Sequence, residues 1–419
     1  MTVLVAVVGT LAAVLLVLNF SSGERKINHR IPHLYSVGDA QFVRSMGNLL
    51  GPPLVDGNNV VELLNGDEIF PAMLEAIRGA RRTITFETYI YWSGTIGKEF
   101  ADALSERSAA GVKVHVLLDW VGSGKMDQAI LDQMEKAGVQ VERYHPLRWY
   151  TLARLNQRTH RKLLVVDGRV GFTGGVGIGD KWLGHAQDEE HWRDSHYRLV
   201  GPAVAHMQAA FLDNWLKTHS EVLHGEDYFP PLRAVGTASA QVFRSSSREG
   251  SESVRMMYLL SIAAASRSIL LSAAYFVPDD LSVEMLVEAR MRGARVEIIV
   301  PGTKIDVELT RKASRSRWSA LLEAGVEIWE YQPTMYHCKV LIVDGMWVSV
   351  GSTNFDNRSF RLNDEANLNV LDHEFAERLT KTFEDDKTHS RRITLKEWRH
   401  RPWREKLLEH TLGLFRSQI

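Results

Sequence analysis

The chain has 419 residues, 45% of them hydrophobic and 24% charged, with a net charge of −1. That length favours two domains, or one duplicated unit, over a single small core. The charge balance excludes a global basic field for nucleic acid, and a single cysteine excludes an intrachain disulfide framework.

The opening stretch, MTVLVAVVGTLAAVLLVLNF, carries no charged side chain, and the first charge is Glu24. About 20 apolar residues are enough to span a bilayer. The stretch lacks a basic leader and a small-x-small cleavage site, so a retained transmembrane anchor over 1–22 is favoured over a cleaved signal peptide. Arg25, Lys26 and Arg30 follow directly. The positive-inside tendency then predicts a single-pass inner-membrane protein whose body lies on the cytoplasmic side. A polar connector containing Pro and Gly is predicted over 23–59.

A first unit runs over 60–235. VVELLNGDEIFPAMLEAIRGA reads as strand, turn and amphipathic helix, and RRTITFETYIYW as a strand. GKEFADALSERSAAGVKVHVLLD is a helix then a strand, and AILDQMEKAGVQVERY repeats that shape. Over 236–419 the order returns, with SVRMMYLLSIAAA as helix and SRSILLSAAYFVP as strand. LSVEMLVEARMRGARVEIIVPG and SALLEAGVEIWEY are again helix then strand. Fragments align between the units, EAGVEIWEY with KAGVQVERY for example, so the chain is an internal duplication. Alternating helices and strands predict an α/β layered architecture with a largely parallel sheet in each half.

Each unit then reaches the same motif. HRKLLVVDG starts at His160 and HCKVLIVDG at His337. His160, Lys162, Asp167 and Gly168 match His337, Lys339, Asp344 and Gly345 at one constant offset. The apolar run in each is a buried strand, and alternation points the His and Lys the same way. Burying a lysine is costly unless it meets an anion. Cys338 faces away from that pair and reads as packing. Two His-Lys-Asp sets predict one site at the interface of the halves. Phosphodiester cleavage needs a nucleophile, an acid for the leaving oxygen and cations on the non-bridging oxygens. Histidine serves the first two roles and lysine the third, with carboxylates setting the charge of the rings.

The paired motifs resemble those of the phospholipase D superfamily, whose fold is two similar α/β/α halves, related by a pseudo-two-fold, around one metal-free site. HCKVLIVDGMWVSVGSTNFDNRSFRLNDEANLNV is similar to the second motif of bacterial cardiolipin synthases, and WRDSHYRLVGPAV to the segment after their first. The resemblance covers about residues 60 to 419. It implies His160 as nucleophile and His337 as general acid and base, with Lys162 and Lys339 on phosphate oxygens. It implies that Asn354, in the GSxN that begins at Gly351 and includes Ser352, donates to phosphate. Glu365 matches the acid that orients the histidine of the opposite half, and Asp194 is its first-half counterpart. Asp167 and Asp344 are expected to hold local structure.

One departure stands out. The first half reads GFTGGVGIGD, so Gly175 and Gly177 occupy the places of Ser352 and Asn354. Either backbone amides of this glycine loop replace the missing side chain, or the first-half phosphate contact is weak. No metal or cofactor is expected. The resemblance implies transfer between two phosphatidylglycerol molecules, giving cardiolipin and glycerol through a phosphohistidine. The partners expected are that anionic phospholipid and the membrane, with no nucleic acid, and no oligomer is required to complete the site. Two rivals stay open: a hydrolase of the same superfamily, either a phospholipase D or a nuclease, and a non-catalytic phospholipid-binding relative. Three Arg/Trp stretches, over 148–158, 311–318 and 398–404, read equally as lipid-headgroup contacts or as ordinary packing.

Overall fold

The computed structural model describes residues 2–20, 27–147, 156–246, 252–403 and 405. Helix α1, Thr2–Phe20, contains no acidic residue in its first turn and no basic residue in its last. The side chains of 13 and 15–20, and all of 21–26, lie outside the described residues. Among the described residues no helix is long and apolar enough to cross a membrane. The span expected over 1–22 therefore falls partly outside what is described, and α1 is the part of it that is seen.

The expected connector is not a linker. It contains helix α2, Ala40–Leu50, and strand β1 already begins at Val55. Phe42, Met46 and Leu50 recur four residues apart, share one helix face and are buried in the core of the second half.

The first half runs β1 (Val55–Leu64), α3 (Asn65–Arg78), β2 (Thr83–Thr88), α4 (Thr95–Ala109), β3 (Lys113–Asp119), α5 (Gln128–Lys136), β4 (Gln140–Tyr144), β5 (Leu163–Val166), β6 (Val170–Gly174), β7 (Ser195–Val200) and α6 (Val204–His219). The second half repeats that order. It opens with β8 (Ala238–Ser245), α7 (Ser253–Ala264), β9 (Ser268–Ala273), β10 (Phe276–Val277), α8 (Asp280–Met291), β11 (Arg295–Pro301), α9 (Glu308–Arg315), α10 (Trp318–Glu323) and β12 (Glu327–Tyr331). It closes with β13 (Lys339–Val343), β14 (Trp347–Gly351), β15 (Phe355–Asp356), α11 (Asn357–Arg361), β16 (Glu365–Leu371), α12 (His373–Thr388), β17 (Ser390–Ile393) and α13 (Leu395–His400).

Fifteen strands form one continuous sheet in the order β17-β12-β11-β9-β13-β14-β16-β8-β1-β7-β6-β5-β2-β3-β4. The expectation of largely parallel sheets needs correction. Only β2-β3-β4 and β9-β11-β12 are parallel, while β5-β6-β7 and β13-β14-β16 pair antiparallel. The reason is local. A three-residue turn, Asp167-Gly168-Arg169 or Asp344-Gly345-Met346, follows each motif strand and returns the chain directly as a hairpin. The aspartates take the left-handed conformation in this turn, with φ of 52° at Asp167 and 56° at Asp344.

The halves meet edge to edge through antiparallel β1 and β8. Helices α6 and α12, one from each half, bury Phe211, Trp215, Phe375 and Phe383 in a shared core on one face. Helices α3, α4 and α5 cover the other face of the first half, and α2, α7, α8 and α10 that of the second.

In two of the Arg/Trp stretches Trp318 and Trp398 are packing residues, although Trp403 is exposed. Trp318 and Trp398 are buried and lie 5.4 Å apart between ring centroids. Arg401 stacks 3.6 Å above Trp398, while Arg311 and Arg315 pair with the buried Glu330. Residues 148–155 of the third stretch lie outside the described residues, as does Arg404.

Candidate active site

His160 and His337 stand just ahead of β5 and β13 and face one pocket of about 380 Å³. The pocket opens beyond the carboxyl ends of β2 and β9, where Tyr89 and Tyr275 contribute to its wall. Each motif is clamped by backbone bonds to the other half. His160 N donates to Asp364 O at 2.9 Å and His337 N to Arg193 O at 2.8 Å. Those acceptors immediately precede Glu365 and Asp194, so each histidine is delivered to a carboxylate of the opposite half.

The contacts are crossed pairs. His160 Nδ1 lies 3.0 and 3.1 Å from the two oxygens of Glu365, and His337 Nδ1 lies 2.7 Å from Asp194 Oδ2. A carboxylate on Nδ1 holds a proton there and leaves Nε2 for the pocket, although Lys339 Nζ also lies 3.2 Å from His337 Nε2. Lys162 Nζ donates to His160 O at 2.8 Å and Lys339 Nζ to His337 O at 2.6 Å. His160 carries the edge of Tyr89 against it, and His337 packs against both Trp182 and Trp192, which also touch each other.

Burial lowers the histidine pKa values, His160 to about 4, with Lys162 and Lys339 adding to the effect and Glu365 opposing it. His337 is lowered first by burial and then by the Lys339 charge. Burial also brings Lys162 down to about 7, helped by Lys339 and opposed by Glu365, Asp194 and Asp119. Burial alone would raise Glu365 and Asp194, but their histidine and lysine partners more than offset it and leave both below the usual carboxylate range. Burial thus disfavours positive charge on His160, His337, Lys162 and Lys339, and a phosphodiester anion among them would favour it.

The chain was compared with known proteins. The family model described as cardiolipin synthase, phospholipase D-like domain, matches residues 73–215 and 258–387. Cardiolipin synthase 1 of Bacillus anthracis is 34% identical over 388 residues, covering 90% of this chain and 75% of that protein. A cardiolipin synthase of Geobacillus kaustophilus is 35% identical over 85% of this chain and 72% of its own length. The chain belongs to the cardiolipin synthase family. A solved phosphatidylserine synthase of Haemophilus influenzae shares the two-half α/β fold, with a TM-score of 0.67, 15% identity, and coverage of 90% of this chain and 100% of that one.

Within this cardiolipin synthase-family fold, not every residue singled out from sequence reaches the pocket. His160, Lys162, His337 and Asn354 line it. Asp167 and Asp344 do not. They accept the amides of Arg81, Arg82 and Thr83, and of Ser266, Arg267 and Ser268, and so hold the chain ahead of β2 and β9. Ser352 also stands behind the site, where its hydroxyl donates to Glu365 Oε2. Cys338 is buried, and its thiol is pushed up to about 12, chiefly by that burial.

The glycine departure has a structural reason. Gly175 N–H is already used, donating to Ser195 O at 3.1 Å. A Cβ at Gly175 would lie 2.1 Å from Asp194 Oδ1, and one at Gly177 would lie 2.7 Å from Ile90 Cβ and 3.2 Å from the Trp182 ring. Trp182 fills that space, and its indole N–H donates to Asp194 Oδ2 at 2.9 Å. The indole thus does for Asp194 what the Ser352 hydroxyl does for Glu365. Sequence reasoning did not pick out Trp182. The signal was indirect: two glycines replacing larger residues leave room that a bulky neighbour must occupy.

Restoring the second-half residues should therefore harm the site. Gly175→Ser is expected to push Asp194 off His337 and lower kcat about 100-fold, the cost of a displacement near 1 Å. Wild-type turnover in this variant would show that Asp194 does not need its present place.

Proposed function

We propose that this chain is a membrane-anchored phosphatidyltransferase that joins two phosphatidylglycerol molecules into cardiolipin and releases glycerol. The observation that carries the reading is the pair of crossed histidine–carboxylate contacts, with the buried Lys162 on the pocket wall and the buried Lys339 against the ring and carbonyl of His337. His160 Nε2 attacks the phosphorus of the first lipid. The bond from phosphorus to the glycerol oxygen breaks, and His337 Nε2 gives that oxygen a proton. The second lipid's glycerol hydroxyl then gives its proton to His337 and attacks the same phosphorus, releasing His160. Protons and bonds balance over the two steps, so no cofactor is consumed. Lys162 and Lys339 stabilise the charge on the non-bridging oxygens, joined by Asn354. Glu365 and Asp194 act through the rings they hold.

In this reading the chain divides near 235 and 236 into two phospholipase D-like halves, and α1 is the inner-membrane anchor. The uncharged, apolar run that α1 belongs to supports that anchor. Arg25, Lys26 and Arg30 favour a cytoplasmic body.

Purified full-length protein in phosphatidylglycerol vesicles, with products read by mass spectrometry, tests the reading. Cardiolipin and glycerol in equal amounts are expected, with the protein staying on the vesicles through an alkaline wash. Phosphatidic acid as the sole product would make the chain a hydrolase.

The pH dependence follows from the charge states required. His160 must be neutral to attack, so activity is lost as pH falls through about 4. Lys162 must be charged and His337 protonated; burial lowers both, Lys162 to about 7 and His337 below its ordinary value, so activity is lost at the latest as pH rises through about 7. kcat/KM, which reports the free enzyme, should trace a bell with limbs near those values. A flat profile from about pH 6 to 9 would remove the Lys162 cation from the mechanism.

A further inference from the structure

The pocket holds more hydrogen-bond acceptors than a phosphodiester can use. The phosphate oxygens are themselves acceptors, and His160, Lys162 and His337 already supply donors for them. Yet the second-half wall adds Asp306, whose Oδ2 takes the Tyr275 hydroxyl at 2.7 Å, and both residues line the pocket. Asn354 and Asn363, 3% and 7% exposed, line it too, and their Oδ1 atoms have no hydrogen-bond partner among the described residues. A carboxylate held beside a bound phosphate is repelled by it. Such a residue belongs in the site only if the ligand also brings donors.

The first-half wall differs in kind. Ile90, Trp182 and Trp192 line it, with both indoles against His337. Asp306 lines the same pocket as His337, and its charge acts on His337 and Lys339. Of the acceptors, Asn363 sits by Glu365 and so towards His160, whereas Asp306 is the one whose charge acts on the proton-transferring His337.

We propose that Asp306, positioned by Tyr275, forms a polyol subsite beside His337 that accepts the free hydroxyls of the glycerol headgroup. This rests on the transferase reading above and extends it to headgroup choice. The departing glycerol is held through its two free hydroxyls while its third oxygen takes the proton from His337. The incoming phosphatidylglycerol occupies the same place. One hydroxyl gives its proton to His337 and attacks phosphorus, while the neighbouring secondary hydroxyl stays on Asp306. A single subsite thus serves both halves of the reaction and favours polyols over simple alcohols.

The test is acceptor competition by the full-length protein in phosphatidylglycerol vesicles. Deuterated glycerol, propan-1-ol and ethanolamine are offered together, and the exchanged lipids are read by mass spectrometry. The wild type should favour glycerol over propan-1-ol by tenfold or more. Asp306→Asn should bring that ratio to within about threefold, and Tyr275→Phe should lower it less, because the carboxylate remains. A structural defect would lower all products together and leave the ratio alone. An unchanged ratio in Asp306→Asn overturns the subsite while leaving the transferase reading intact. A wild-type preference for ethanolamine assigns the carboxylate to a cation instead and overturns the polyol assignment. Phosphatidic acid alone from the wild type overturns the transferase reading and the subsite with it.

Discussion

His160→Ala is expected to form no cardiolipin above about one ten-thousandth of the wild-type rate, the scale on which removing one member of a nucleophile–base set acts. In the proposed mechanism His160 forms the covalent bond to phosphorus, and nothing else in the pocket replaces it. Asn354 is uncharged, and Lys162 is committed to the backbone oxygen of His160. His337→Ala should lose cardiolipin formation as completely, but for another reason: the glycerol oxygen leaves without a proton. The two roles separate on a donor whose leaving group is a nitrophenol, which departs unprotonated. His337→Ala should still release nitrophenol in a burst matched to the enzyme present and hold the lipid on His160, visible by intact-protein mass spectrometry. His160→Ala should give neither burst nor adduct. An adduct in His160→Ala that is missing from His337→Ala would reverse the assignment.

The second large effect concerns what holds the two halves around that pocket. Arg193 is buried, and its guanidinium meets Asp386 of α12 at 2.8 and 3.0 Å. It also donates to Asp194 O and the Ser195 hydroxyl, while its own carbonyl accepts His337 N–H. The residue that joins the halves thus also sets Asp194 and His337 in place. Arg193→Leu leaves the Asp386 carboxylate buried with the Tyr336 hydroxyl, 3.0 Å away, as its remaining partner. Breaking one side of such a pair costs about 3–5 kcal/mol. Denaturant titration should show that loss, with turnover falling beside it. The double variant Arg193→Leu, Asp386→Leu removes both charges and should recover most of the stability, because a buried ion pair is close to neutral against apolar residues of similar size. Its turnover should stay low, since the bonds to Asp194 and Ser195 are still missing. A single variant within about 1 kcal/mol of wild type would mean that the pair does not hold the halves together.

The amino-acid sequence alone determined the duplication, the two histidine–lysine motifs, the α/β class and the family. Each of these is written in local patterns: alternation that sets the face of His160 and Lys162, helix periodicity, and a repeated turn of Asp and Gly. It also drew attention to Gly175 and Gly177 as the place where the halves part company. The tertiary structure decided what those glycines mean, because Trp182 reaches Asp194 only when the 3-10 turn Asp180–Trp182 folds over β6 and β7. It also showed that α2 packs under the second half, that each half is only partly parallel, and that Trp318 and Trp398 stack on each other. All of these depend on partners far apart in the chain, which no local period records. The same holds for the acceptor wall. Tyr275 and Asp306 lie in separate loops with no shared motif, and only the meeting of β9 and β11 in the sheet brings a hydroxyl and a carboxylate into the pocket that His337 lines.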